Sequence, residues 1–159
     1  MILPPLPFET QVLERRHGAY RLSTDRALLD LDAIHAFLAK DSYWARGIER
    51  TLVERAIRGS LPVGAYDAEG QLAGFARAVT DGAIFGYLRD VFVLPAHRGQ
   101  GLGQALAAAL LDHPDLAGLR NWMLATEDAH GLYATLGFAP VANPARLMQR
   151  RRQPDAPAS

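Results

Sequence analysis

The stretch Val91–Leu106, VFVLPAHRGQGLGQAL, decides how this chain is read. Val91-Phe92-Val93-Leu94 is a short apolar, largely β-branched run, which predicts a strand. Pro95-Ala96-His97 stops it. Arg98-Gly99-Gln100-Gly101-Leu102-Gly103 then opens an Ala/Leu segment with helical periodicity. A strand feeding a glycine-rich turn into a helix N-terminus is an arrangement suited to anions. The glycines permit a tight turn and let a ligand reach the backbone. The first helical turn has N–H groups without intrahelical partners, and the helix dipole favours negative charge there.

Two common phosphate motifs do not fit. A P-loop needs a Gly-Lys-Ser/Thr ending, and the single lysine, Lys40, lies far upstream. The dinucleotide fingerprint needs glycines at its first, third and sixth positions, which here are Gly99, Gly101 and Gln104. What remains is a plain glycine-rich turn or a phosphate loop of another class.

The 159 residues amount to one domain. The formal net charge is zero, and the arginines are scattered, so a nucleic-acid partner is not expected. Arg150-Arg151-Arg152, before a Pro/Ala tail, reads as a solvated end or a contact to something acidic. Cysteine is absent, which excludes disulfides, a covalent cysteine mechanism and thiolate zinc sites; no metal is expected. The start, MILPPLPFE, lacks a basic region and does not read as a signal peptide. No stretch is long enough to span a membrane. The expected setting is the cytoplasm, as a monomer or homodimer.

Outward from the central stretch, the pattern divides the chain into an N-terminal arm (1–18), a domain (19–150) and a flexible tail (151–159). Ala19–Ser23 predicts a strand. Thr24 or Asp25 would cap a helix running to about Ala39, with Leu28, Leu31, Ile34, His35 and Leu38 on one face. Asp41–Gly47 is a polar-aromatic insert, and Glu49–Ile57 a second helix. Leu61–Tyr66, Gln71–Val79 and Ala83–Leu94 form an antiparallel meander turned at Asp67–Gly70 and Asp81-Gly82; the length of the third strand predicts a bulge or bend. Leu102, Leu106, Ala109 and Leu110 share a helical face. Leu119–Thr126 predicts a strand, Asp128–Leu136 a short helix stopped by Gly137, and Phe138–Val141 and Ala145–Gln149 two last short strands. The element order gives a mixed α/β domain.

Val91–Gly103 resembles the coenzyme A pyrophosphate loop of the GNAT acetyltransferases. Gly131-Leu132-Tyr133-Ala134-Thr135-Leu136-Gly137-Phe138 is similar to the Leu-Tyr-x-x-x-Gly-Phe stretch of many members of that family. The resemblance covers Val91–Phe138 by motif and roughly Tyr20–Gln149 by element order. It implies a single-domain GNAT-like fold: a mixed, mostly antiparallel sheet of about six to seven strands with about four helices and splayed central strands. It also implies acetyl transfer from acetyl-CoA to an amine by direct attack in a ternary complex. Backbone amides from Gly99 and Gln100 to Leu102 and Gly103, following Arg98, would cradle the pyrophosphate. The main chain of Val91, Phe92 and Val93 would run along the pantetheine arm, and Tyr133 would protonate the departing thiolate. Where the family often carries an Asn, this chain reads Thr126-Glu127-Asp128-Ala129-His130, with Asp128 and His130 as the cofactor-side candidates.

The residues support the same chemistry without the family. Amines are protonated at neutral pH, with a pKa near ~10.4 for an alkylammonium, so the site must accept a proton directly or through water. Asp90, beside the expected thioester position, is the first candidate base; Glu127, Asp128 and His130 are others, and Asp128 also suits a helix N-cap. Ser42, Tyr43, Trp44, Arg46, Arg77 and Phe85 are the candidate acceptor-lining residues for a small-molecule amine. The Tyr-Trp pair suggests an apolar or aromatic part, or a cation held on ring faces; one of the two could instead plug the core. A non-catalytic CoA-binding sensor and a nucleotide-binding protein are the rival readings.

Overall fold

The computed structural model describes residues 2–152. The chain forms β1 (Glu14–His17), β2 (Tyr20–Ser23), α1 (Leu31–Lys40), α2 (Arg50–Arg58), β3 (Leu61–Tyr66), β4 (Leu72–Thr80), β5 (Phe85–Val93), α3 (Leu102–Leu111), β6 (Asn121–Met123) and α4 (His130–Ala134). The six strands make one sheet in chain order. All neighbours are antiparallel except β5 and β6, which run parallel.

Two apolar layers cover the sheet. Ile34, Phe37 and Leu38 of α1 and Val53 and Ile57 of α2 pack with Phe75 and Phe92. Leu102, Leu106 and Leu110 of α3 pack with Val63, Ala76, Ala78 and Leu88. Adjacent residues of a strand face opposite sides, so Phe75 and Ala76 assign α1 and α2 to one face and α3 to the other.

The N-terminal stretch contributes a strand, because Glu14–His17 pairs residue for residue with Tyr20–Ser23. The expected single helix after Ser23 is two elements. Asp25 accepts from Ala27 N at 2.9 Å and caps a 3-10 turn, and Asp30 accepts from Ala33 N at 3.0 Å to start α1. The two last expected strands are absent. Phe138–Val141 finds no partner, and Pro144–Arg146 is a 3-10 turn. A strand needs a neighbour to accept its backbone groups, and residues 139–152 lie exposed. Of the expected tail, 153–159 fall outside the described residues.

The predicted bulge is present in β5. Arg77 pairs with Arg89 and Phe75 with Phe92, so β5 spends one residue more than β4 over the same span. Asp90 takes the extra place with φ +53°, and among the described residues no other non-glycine has positive φ. The consequence is visible in the packing: Leu88 lies in the α3 layer and Phe92 in the α1–α2 layer, whereas even-numbered residues of an unbroken strand would share a face.

Candidate active site

The cleft begins where β5 and β6 part. They pair only over Phe85–Tyr87 and Asn121–Met123. At this point Gly86 admits the Trp122 ring, which a Cβ would meet at 2.6 Å. Beyond Tyr87 the two strands diverge, leaving one side of β5 without a strand partner. Leu94 N donates to Ala73 O at 2.8 Å, toward β4. Backbone groups alternate sides along a strand, so those of Val91 and Val93 point to the opened side. Val93 O accepts from Arg98 Nε at 3.1 Å, leaving the N–H of Val93 and both groups of Val91 facing the gap. Phe92 does the reverse: its backbone pairs with β4, and its ring stacks on Phe37 at 4.1 Å.

The glycine loop continues this edge. Arg98 is extended, Gly99 and Gly101 have φ +78° and +76°, and α3 starts at Leu102 with no side chain capping it. Ala105 N makes the first intrahelical bond, to Gly101 O at 3.0 Å, so the N–H groups of Leu102, Gly103 and Gln104 have no helical acceptor. These uncapped donors, with glycines holding the turn, fit a pyrophosphate.

The β1–β2 hairpin grips this loop from outside, which the sequence did not reveal. His17 Nε2 donates to Gln100 O at 2.6 Å. Gln100 Nε2 donates to Tyr20 Oη at 3.0 Å, and that hydroxyl shares a hydrogen bond with His97 Nδ1 at 2.9 Å. A trans peptide directs its C=O and N–H to opposite sides. By turning the Gln100 carbonyl outward, His17 therefore turns the Gly101 N–H away from the hairpin. His97 belongs to this clamp. No sequence signal could have found it, because the contacts span about eighty residues.

Tyr133, on α4, is buried and lies edge-on to Phe138 at 6.0 Å. Its hydroxyl has no hydrogen-bond partner among the described residues and is not sealed from solvent. Burial first, then the Tyr43 phenol and the Asp128 carboxylate, push its pKa above the ordinary phenol value. Glu127, Asp128 and His130 are exposed. Asp128 is not the helix cap: Thr126 Oγ1 accepts from Ala129 N at 3.0 Å instead.

The expected acceptor side is built from side chains. Ser42 is buried; it donates to Leu38 O at 2.6 Å and accepts from Ala45 N at 3.1 Å, so it shapes the loop and does not line the cleft. His35 Nε2 donates to Ile48 O at 2.9 Å and ties the loop's far end to α1. Tyr43 is 53% exposed and edge-on to Trp44 at 5.0 Å. Trp44 leans on Phe37 and donates from Nε1 to Asp90 Oδ1 at 2.7 Å. Arg77 donates from Nε to Asp90 Oδ2 at 2.6 Å, both side chains being 9% exposed. Trp44 thus acts both as core plug and as wall. A cavity of about 210 Å³ is lined by Leu38, Trp44, Arg46, Arg77, Arg89 and Asp90, among others. Arg89 was not among the sequence candidates: a turn at Asp81-Gly82 would set Gly86 opposite Arg77, and only the longer connection found, Thr80 pairing with Gly86, brings Arg89 there. Phe85 starts β5 at the end where β6 still pairs, on the other end of the strand from Val91 and Val93.

This cleft and sheet define an acyl-CoA-dependent transferase of the GNAT type. The Acetyltransferase (GNAT) family model matches residues 31–138, and the chain belongs to that family. A Gibberella zeae protein named as an acetyltransferase is 37% identical over 143 residues, spanning 76% of this chain and 80% of its own. A chloroplastic serotonin N-acetyltransferase of Oryza sativa is 32% identical over 152 residues, 91% of this chain and 74% of the relative. A GNAT-family crystal structure from Xanthomonas campestris is 50% identical with a TM-score of 0.80, covering 84% of this chain and 93% of that one. A Clostridium acetobutylicum structure with acetyl-CoA shares the fold at 16% identity and a TM-score of 0.55, covering 82% of this chain and 98% of that one. The chain is an acetyltransferase with acetyl-CoA as the family's acyl donor.

Proposed function

We propose that the chain transfers the acetyl group of acetyl-CoA to a primary amine of a small molecule, by direct attack in a ternary complex. The observation that carries this reading is the parting of β5 and β6 after three paired residues. It leaves the backbone of Val91 and Val93 without a strand partner ahead of the uncapped N-terminus of α3, and in this reading the Tyr133 hydroxyl meets the thioester sulfur there. The pantetheine arm would lie along β5 as an added half-strand, and its diphosphate would meet the amides opening α3.

In the chemical step the amine nitrogen bonds to the thioester carbonyl carbon and the C–S bond breaks. The leaving thiolate takes the phenolic proton of Tyr133, and the proton lost by the amine returns to the phenolate through water. A raised pKa keeps that phenol protonated until a thiolate forms. Asp90, the first candidate base, has both oxygens engaged by Trp44 and Arg77; its place in this reading is to position the acceptor wall. Tyr43 and Trp44 supply ring surface for an aromatic or apolar part of the acceptor, in keeping with the aromatic amine named for the rice relative.

A panel of aliphatic and aromatic amines is the test, with acetyl-CoA turnover followed by free thiol release. Amine-dependent thiol release with matching N-acetyl product is expected. CoA binding without turnover on any amine would favour the sensor reading.

A further inference from the structure

We propose that the cavity behind Trp44 holds a carboxylate of the acceptor through Arg46 and Arg89, so that the preferred acceptors are amino acids and not simple amines. This rests on the acetyl-transfer reading above and narrows its substrate class.

The first observation is the charge of the wall. Three arginines and one carboxylate line the cavity. Arg77 and Asp90 neutralise each other at 2.6 Å. Arg46 and Arg89 have no carboxylate within ion-pair distance among the described residues. Unpaired arginines occur elsewhere on the surface. These two, both exposed, differ because they line one concavity whose wall also holds an indole and a fixed ion pair. A planar guanidinium presents paired donors that match the two oxygens of a carboxylate.

The second observation is the bulge. Arg89 pairs with Arg77, whose side chain lies on the α1–α2 face. In a regular strand Asp90 would then face α3. The αL conformation of Asp90 instead directs it to Trp44 and Arg77. Two successive charged residues thus reach the same cavity.

Size decides which part of the acceptor fits. At about 210 Å³ the cavity is smaller than the roughly 300–1,000 Å³ of sites that enclose a drug-sized ligand, so it takes one end of a molecule. Asp90 adjoins Val91, whose backbone faces the thioester gap, and neighbouring Cα atoms are about 3.8 Å apart. Because Asp90 on the cavity wall directly precedes Val91 in β5, acid and amine are taken as close neighbours, as in an α-amino acid. The remaining side chain of such an acceptor would lie against Tyr43.

The purified full chain would be assayed on matched pairs: tryptophan against tryptamine, and phenylalanine against phenethylamine. Each acid should exceed its amine by about tenfold or more in kcat/KM, the value of one charge-assisted contact. Arg89→Gln and Arg46→Gln should each shrink that ratio about tenfold, mainly through KM. A wild-type preference for the amines, or a ratio unmoved by both substitutions, overturns the proposal. Calorimetry of 3-phenylpropionate with CoA-loaded protein separates the two readings. Arg89-dependent binding without any amine turnover keeps the anion site and rejects transfer to these amines. Turnover with no acid preference and no binding of the carboxylate keeps acetyl transfer and rejects the anion site.

Discussion

The two halves of the cleft are made of different material. On the proposed cofactor side the groups that would meet ligand belong to the main chain: the backbone of Val91 and Val93 and the amides opening α3 at Leu102. On the acceptor side they are side chains drawn from a loop, β4 and β5, namely Trp44, Arg77, Arg89 and Asp90. A main-chain site depends on where glycines allow the backbone to turn, and it tolerates changes of side chain around it. A side-chain site depends on each partner holding the next. The two halves should therefore fail differently.

The largest effect is expected at Asp90. Removing one member of a buried ion pair typically costs about 3–5 kcal/mol, because the other charge is left without a partner. Asp90→Ala should lower unfolding stability by that order in denaturant titration. Asp90→Gly should cost less, because it loses the pair but relieves a positive φ, worth about 1–3 kcal/mol for a non-glycine. Equal losses for the two variants would show that the bulge stores no strain.

In the proposed mechanism Tyr133 acts where the halves meet. Tyr133→Phe should lower kcat by about 10²-fold or more, the scale of general acid catalysis, with CoA affinity little changed. The loss should shrink for thioesters with more acidic leaving thiols. Near wild-type kcat, under conditions where chemistry limits the rate, would remove the phenol from the mechanism.

The cofactor half is tested at Gly101 and His17. A valine at Gly101 would relax out of φ +76°. Regaining the binding conformation would cost about 1–3 kcal/mol, or roughly 5–150-fold in CoA affinity. Unchanged calorimetric affinity would place the pyrophosphate elsewhere. His17→Ala removes the donor that orients the Gln100–Gly101 peptide. It should weaken CoA about fivefold, the value of about one hydrogen bond, and leave the relative rates of different acceptors alone. A shift in acceptor preference would mean that the halves are coupled.

The smallest effect lies outside both halves. His113 is fully buried at the end of α3; its Nδ1 accepts from Asp115 N at 3.1 Å, and its Nε2 has no partner among the described residues. That backbone donor fixes the ring as neutral, so its 3.9 Å approach to the Asp115 carboxylate is not an ion pair. Burial holds its pKa below 6.5, outweighing the opposing pull of Asp115. The unfolded chain therefore takes up a proton first as pH falls. Stability from this group is complete above pH 6.5 and declines below it, by at most about 1.4 kcal/mol per pH unit. Urea midpoints should fall between pH 6.5 and 5.5, and His113→Gln should flatten that slope. An equal slope in the variant would assign the acid sensitivity to the carboxylates.

Much of the frame could be read from sequence alone. The glycine loop, the meander Leu61–Val93 with its bulge, the helix after Gly101 and the Leu-Tyr-x-x-x-Gly-Phe stretch are local signals. Glycine geometry, turn chemistry and hydrophobic period act within a few residues. Only the tertiary structure decided which side chains meet. Trp44 and Asp90 are 46 positions apart, and His17 and Gln100 are 83 apart; no periodicity encodes such contacts. It also decided which strand-like segments become strands. Glu14–His17 did so because Tyr20–Ser23 offered it a register. Phe138–Val141, more apolar, stayed unpaired, because a β-strand is defined by the neighbour that accepts its hydrogen bonds and not by its own residues.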